Sequence, residues 1–561
     1  ELGQLDQALA ATLKSLELKP DNHIAHMNLG GIYKELGQLD QALAATLKSL
    51  ELRPDNPDAH MNLGGIYKEL GETYESQKYY RKGYKIKPSL ENMCKAYLTF
   101  DDIYEDIDHI KKQRMEYLAN IKKIFENFTE ISKTTKFLDF SLFMLTYQNG
   151  GNDKEFMGTL CELIKPIFDE LSKEENNAKV EVKKTGSRKI RIGFYFDNPQ
   201  KEHPVTSHFF NIVEACAEEG FEVLIIKGPM ASFKENEELE KVATKTIQLT
   251  STIRKSIEEM KDLRMDLLVY TEIHSSEAPY CLALHRIAPV QIILPGNSMT
   301  TGLSTVDYYL SSSLTEPEDA EKNYSESLVR LSGIPTGIDE SFFEKTTSSR
   351  DTLGLPLDKN LFGLLHNPIK YHPDMDGILE GIAHKNPNAC FITSNGLNEQ
   401  TTKRIVKRWK KFAPKALSQT IFIDRMSKDT YLGILKNLDL LLDPVHRGCG
   451  TTGFDAMAVG VPVVTMPGKH SRSRLMAGIY KGIGLKNPPV AADIDEYINW
   501  CNKISSSSTL RDELRISIIS GFSGLTDINK STTQEMVDFF KAAAKASMAG
   551  EALPQNWQQY E

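Results

Sequence analysis

Three glycines, at 448, 450 and 453, frame a pair of threonines in the run Asp443-Pro-Val-His-Arg-Gly-Cys-Gly-Thr-Thr-Gly-Phe-Asp455. Glycine lets a backbone turn sharply and approach a ligand closely. Thr451 and Thr452 fall where a helix should begin. Free N–H groups at a helix start, with the positive end of the dipole, favour a phosphate there. A plain strand-to-helix turn carries the same pattern, so the company of this loop matters. Lys370 closes the run His366-Asn-Pro-Ile-Lys370, before a helix opened by Pro373. A lysine at the carboxyl end of a strand is a compact point charge that can neutralise a departing phosphate. His203, in His203-Pro-Val-Thr-Ser-His208, follows the first strand. A histidine in such a loop can act as a base or donate to a hydroxyl, or it can be structural. Asp374-Met-Asp376 opens a helix and reads as capping rather than metal binding. Asp106-Ile-Asp108 reads as a solvated helix face. No nucleophile elbow and no zinc-ligand spacing is present, so no metal is expected.

These residues need a scaffold, and short apolar runs supply one. Lys189 to Phe196, Phe221 to Ile226, Asp266 to Tyr270 and Val290 to Leu294 form a first series of strands. Leu361 to Leu365, Cys390 to Thr393, Ile421 to Asp424, Leu438 to Leu442 and Val461 to Met466 form a second. The spacing predicts βαβ units and two doubly wound parallel sheets, with a seam at Ser348 to Asp358. Such halves place a ligand cleft at the carboxyl ends of their strands. Dinucleotide enzymes and nucleotide-sugar transferases both use this architecture. No Gly-x-Gly-x-x-Gly follows the first strand, which weakens the dinucleotide reading, and no Walker-type loop occurs.

Before the halves the chain repeats itself. Glu1-Leu-Gly3 returns as Glu35-Leu-Gly37 and Glu69-Leu-Gly71, a period of 34, and Pro20, Pro54 and Pro88 keep step. This period predicts stacked helix pairs of the tetratricopeptide type. Asn28 and Asn62 share one repeat position. There a polar side chain could bind a peptide backbone in the concave groove, or be solvated or capping. Asn92 to Thr99, Ile107 to Thr129 and Phe156 to Leu171 are amphipathic helix candidates, and Ser172 to Gly186 suits an exposed linker.

Composition sets outer bounds. The 561 residues suffice for three or four domains, and 40% apolar with 25% charged residues is ordinary for globular protein. A net charge of −9 argues against nonspecific nucleic-acid binding. Seven scattered cysteines suggest no disulfide framework, and no apolar run is long enough to span a bilayer. A reducing, cytoplasmic setting without membrane attachment is therefore expected. The chain begins inside a repeat and without Met, so it reads as a piece of a longer array.

Together, the repeats, Arg286-Ile-Ala-Pro-Val-Gln291, Lys370 and Gly450-Thr-Thr-Gly-Phe-Asp455 resemble the O-linked N-acetylglucosamine transferase family, more weakly its cyanobacterial members. The resemblance implies a GT-B fold of two Rossmann-like halves behind repeat helices, UDP-sugar as donor substrate, and no cofactor or metal. It divides the chain into repeats (1–88), helical bridge and linker (89–186), N-terminal catalytic half (187–350), UDP-binding half (351–520) and a C-terminal helix and tail (521–561). By resemblance, Lys370 steadies the leaving diphosphate and His203 lies near the reaction centre. Thr451 and Thr452 hold the pyrophosphate, and Lys428 and Asp455 lie near the ribose. Asn367, Met426 and Gly450 complete the donor site, and Asn28 and Asn62 form an asparagine ladder for the acceptor protein. The sequence departs from the pattern in four places: Gly450 and Tyr431 replace histidines, Asn367 replaces a glutamine, and one extra residue within Val205 to Ser207 follows His203-Pro204. The implied activity is inverting transfer of N-acetylglucosamine, or another hexose, to protein Ser/Thr. A glucosyltransferase acting on asparagine, or a repeat scaffold with a weak or inactive nucleotide-binding part, remains open.

Overall fold

The computed structural model describes residues 2–127, 135–148, 151, 153–173, 188–201, 203–231, 236–337, 348–396 and 398–551. The linker expected at Ser172 to Gly186 and the tail beyond 551 lie almost wholly outside them. After a first helix, Leu2–Leu18, come the helix pairs His23–Glu35 with Leu39–Leu52 and Pro57–Glu69 with Thr73–Ile86. Repeated local chemistry builds them. Asn22 accepts from the N–H groups of Ile24 and Ala25, and Asn56, one period later, from those of Asp58 and Ala59. Gly37 and Gly71 take φ of 72° and 75° at the turns, where a side chain would be strained.

The first sheet is wholly parallel, in the order β3-β2-β1-β4-β5-β6-β7. Its strands are β1 (Arg191–Phe196), β2 (Glu222–Lys227), β3 (Lys245–Gln248), β4 (Leu267–Tyr270), β5 (Val290–Ile293), β6 (Tyr308–Ser312) and β7 (Ser327–Leu331). The second, in the order β10-β9-β8-β11-β12, is also parallel. It contains β8 (Asn360–Leu364), β9 (Ala389–Ser394), β10 (Thr420–Ile423), β11 (Leu440–Leu442) and β12 (Val463–Val464).

Alternation along the strands of the first sheet decides what covers each face. Ile192, Phe194, Val223, Ile225, Leu267 and Val269 face one core, shared with Met536, Val537, Phe539 and Phe540 of the Leu525–Ala549 helix. The C-terminal helix therefore returns to the first half, which the chain order alone did not reveal. Tyr195, Leu224, Ile226, Leu268 and Tyr270 face the other core. There they meet Tyr117, Ile121, Leu160 and Ile164 from the bridge helices Ile107–Asn127 and Asp153–Lys173. The second sheet has its own core around Phe362, Met375, Leu441, Met457 and Tyr480. All seven cysteines are buried and free. Among the described residues, no helix is long and apolar enough to cross a membrane.

Candidate functional site

The carboxyl ends of both sheets converge on one cleft of about 530 Å³. After β11 the chain turns through Asp443–Gly450 and enters the helix Thr451–Ala458. The Asp443 carboxylate holds this turn, accepting from the Cys449 N–H at 2.6 Å and the Thr465 hydroxyl at 2.6 Å. A Cβ on Gly448 would lie 2.8 Å from that carboxylate, so the turn requires glycine here. Gly450 is different: a Cβ there would meet nothing within 4 Å.

Lys370 follows β8 in the short turn Pro368–Lys370, and its ammonium donates to the Gly448 carbonyl oxygen at 2.9 Å. Burial, together with the Arg447 charge beside it, pushes the Lys370 pKa down to about 8. Arg447 lies over the Tyr147 ring at 5.1 Å. His203 and His208, from the start of the Pro204–Glu218 helix, complete one wall. His208 Nε2 is 3.3 Å from the Thr451 hydroxyl, and burial lowers its pKa to about 4, so it is neutral near pH 7. The opposite rim carries Arg472, which donates at 2.7 Å to Asp153 of a bridge helix. Asp153 also accepts from Arg114 at 3.2 Å. This buried network ties the second half to the bridge.

Of the expected site residues, His203, Lys370, Gly450 and Thr451 line this cleft. A second group stands behind the helix start: Asp455 accepts from the Tyr431 hydroxyl at 3.2 Å, and burial raises its pKa to about 6. Thr452 and Lys428 lie near this pair. Met426 packs half-buried on the second core. Asn367 caps the Lys370 turn by accepting from the Ile369 N–H at 3.3 Å. Arg286 pairs with Asp307, and the Gln291 side chain bridges Ile287, His285 and Thr305, so both brace the sheet away from the cleft. The Asp374-Met-Asp376 pair does not cap its helix as expected; the His372 side chain does. Asp376 instead pairs with buried Arg408 at 2.7 Å, because a buried guanidinium needs a counter-charge.

One residue escaped the sequence reading. Glu272, just past β4, is the single carboxyl among the residues lining the cleft. It is buried, and burial pushes its pKa up to about 7, the nearby Ser275 hydroxyl pulling the other way. The rule that singled out Lys370, a charged residue at the carboxyl end of a predicted strand, would have found it.

A groove of about 810 Å³ runs beside the cleft, lined by Lys34 and Lys68 of the repeats, Lys95 and Asp139 of the bridge, and Glu277. Phe143 and Ser275 line both spaces, so the two are adjacent. Asn62 lines a small recess that shares Lys34 and Lys95 with the groove, and it donates to the Met27 carbonyl at 3.5 Å. Asn28 is exposed.

Comparison with known proteins agrees with this architecture. Family models described as "TPR repeat" and "Tetratricopeptide repeat" match residues 30–71 and 57–90. A tomato (Solanum lycopersicum) relative is named a probable UDP-N-acetylglucosamine–peptide N-acetylglucosaminyltransferase SPINDLY. It is 24% identical over 275 residues, covering 46% of this chain and 28% of the relative. The Actinobacillus pleuropneumoniae UDP-glucose:protein N-beta-glucosyltransferase is 22% identical over 245 residues, covering 42% of this chain and 37% of that one. The chain thus spans well under half the length of either. A solved mutant of the Thermobaculum terrenum O-GlcNAc transferase superposes with TM-score 0.69 at 17% identity, covering 98% of this chain and 95% of that chain. That likeness shows the fold, repeat helices followed by two GT-B halves.

Proposed function

We propose that this chain, which carries tetratricopeptide repeats and is homologous to the O-linked N-acetylglucosamine transferases, is an inverting glycosyltransferase. It moves N-acetylglucosamine, or another hexose, from a UDP-sugar to a Ser/Thr hydroxyl of a protein in a reducing, cytoplasmic setting. The observation that carries this reading is the meeting of Lys370 with the Thr451 helix start in a cleft adjacent to the repeat-lined groove.

The diphosphate lies against the helix start, where Lys370 and Arg447 bring positive charge. The acceptor oxygen attacks the anomeric carbon from the face opposite UDP. A new C–O bond forms as the bond to UDP breaks, its electron pair passes to the diphosphate oxygen, and the configuration inverts. The Lys370 ammonium gains attraction as that charge grows, which favours the transition state over the ground state. The acceptor proton passes to Glu272, the carboxyl of the cleft, or to His203. With the donor charge met by these cations and helix N–H groups, this reading requires no divalent cation. Asn62 and the groove receive the acceptor peptide.

UDP release from a panel of UDP-sugars, with Ser/Thr- and Asn-containing acceptor peptides and with EDTA present, tests it. Transfer to Ser or Thr in EDTA is the expected result. Transfer to Asn would favour the activity named for the Actinobacillus relative. No UDP release from any donor would favour a repeat scaffold, a reading to which the open space at Gly450 lends weight.

A further inference from the structure

Next in sequence to Lys370 and Arg447, two segments far apart in the chain bring three donor atoms together. His372 and Asp374 open the Pro373–Lys385 helix, and His446 comes from the turn after β11. One nitrogen from each histidine and one Asp374 oxygen all lie within 4.8 Å of one another. His446 Nε2 is 2.6 Å and His372 Nδ1 3.4 Å from Asp374 Oδ2. We propose that His372, Asp374 and His446 form a binding site for a divalent first-row transition ion of the zinc, cobalt or nickel class.

The donor set decides the class. Two imidazoles and one carboxylate suit these ions, whereas calcium and magnesium take oxygen donors. In a tetrahedral zinc site, bonds of about 2.0 Å place ligand atoms about 3.3 Å apart. The His372–Asp374 separation already fits, and the His446–Asp374 hydrogen bond opens by under about 1 Å on the same scale.

Two further observations bear on the site. His446 holds a left-handed backbone, φ 72°, one of four non-glycine residues with positive φ among those described. Such a conformation is costly and persists where the surroundings require it. The His372 ring is fully buried, and its Nδ1, 3.4 Å from Asp374 Oδ2, accepts a 3.2 Å hydrogen bond from the Asp374 N–H. A metal–nitrogen bond at Nδ1 would replace that cap hydrogen bond. Asp374 and His446 remain partly exposed, which leaves an entry path and open positions for water. Arg408, whose charge bears on the His372 ring, is neutralised by Asp376.

The ion would act as a clamp. Lys370 stands two residues before His372, and Arg447 directly follows His446. Binding would fasten together the two segments that carry the cations of the cleft, outside the reacting atoms. Metal binding and sugar transfer are measured separately, so failure of one leaves the other standing.

The test is calorimetric titration of the EDTA-stripped whole chain with Zn²⁺, alongside visible absorption of the Co²⁺ form. One equivalent of Zn²⁺ should bind, and Co²⁺ should develop the bands of nitrogen–oxygen ligation. His446→Asn keeps a residue that tolerates the left-handed backbone, and Asp374→Asn keeps the shape of the carboxylate. Each, shown folded by circular dichroism, should lose the equivalent and the Co²⁺ spectrum. Absence of binding by the wild-type chain would overturn the site. Binding unchanged in both variants would assign the ion to surface histidines and overturn it equally.

Discussion

The Lys370 ammonium reaches across 78 positions of sequence to the Gly448 carbonyl oxygen, 2.9 Å away. A strong donor is thereby held against the backbone of the loop that leads into the Thr451 helix. Under the proposed function it is already positioned before a diphosphate would arrive, which is what transition-state stabilisation requires.

Lys370→Ala should therefore slow transfer by roughly 3–4 kcal/mol, on the order of 10²–10³ in rate, with little change in melting temperature. Thr451→Ala should cost less, since backbone N–H groups remain. Single-turnover transfer at saturating UDP-sugar, with parallel melts, measures both. A near wild-type rate in folded Lys370→Ala would misplace the site.

Glu272 gives a pH signature with a definite sign. Its folded pKa, about 7, lies above that of an exposed glutamate, near 4.3. Between these values the folded state holds the extra proton. The associated stability is full below about pH 4 and is lost as pH rises through 7, in all roughly 3–4 kcal/mol. Glu272→Gln should remove this dependence, visible in the difference between wild-type and variant melts from pH 4 to 7.5. If Glu272 is the acceptor-side base, the variant also loses the rise in transfer rate near pH 7, while His203→Ala keeps it. The opposite pattern assigns that role to His203.

Breaking the Arg114–Asp153–Arg472 network should be expensive. Asp153→Asn leaves two enclosed guanidinium groups without their carboxylate, and removing one partner of a buried pair typically costs about 3–5 kcal/mol. Chemical denaturation should register the loss as a lower midpoint. An unchanged midpoint would mean that water reaches these groups freely.

The two neighbouring glycines should behave oppositely. Gly450→His points into open space and should fold with stability within about 0.5 kcal/mol of wild type. Gly448→Ala drives a methyl onto the Asp443 carboxylate and should disturb the turn. Calorimetric melts and UDP titration separate the pair: UDP affinity falls for Gly448→Ala and is kept or raised by Gly450→His.

On the acceptor side, Asn62→Ala should lower protein glycosylation more than Asn28→Ala, because Asn62 lines the groove's recess while Asn28 is exposed. UDP affinity should be unchanged in both. Equal modification of every acceptor by both variants would remove the asparagine ladder.

Strands buried on both faces announced themselves as apolar runs, which is why β1, β4, β8 and β11 were legible. β3 was not: Lys245-Thr-Ile-Gln is a half-exposed edge strand. β6 ends in two serines and β7 carries Arg330, so neither shows an unbroken apolar run. The helix-start threonines and Lys370 could be found because each obeys a local rule about strand and helix ends. No local rule pairs Arg472 with Asp153, 319 positions apart, or His446 with Asp374. Such partners are chosen by tertiary packing, which leaves no periodic trace in the sequence.

The return of the Leu525–Ala549 helix to the first sheet imposes an order on biosynthesis. Ile192, Phe194, Val223 and Ile225 emerge from the ribosome more than 300 residues before Phe539 and Phe540, the side chains that cover them. At about 5–20 residues per second, that face waits on the order of tens of seconds for its cover. The second half, whose core is its own, can close in the meantime. The half synthesised first is thus completed last, and a nascent chain stopped short of residue 525 exposes an apolar surface for a chaperone to hold.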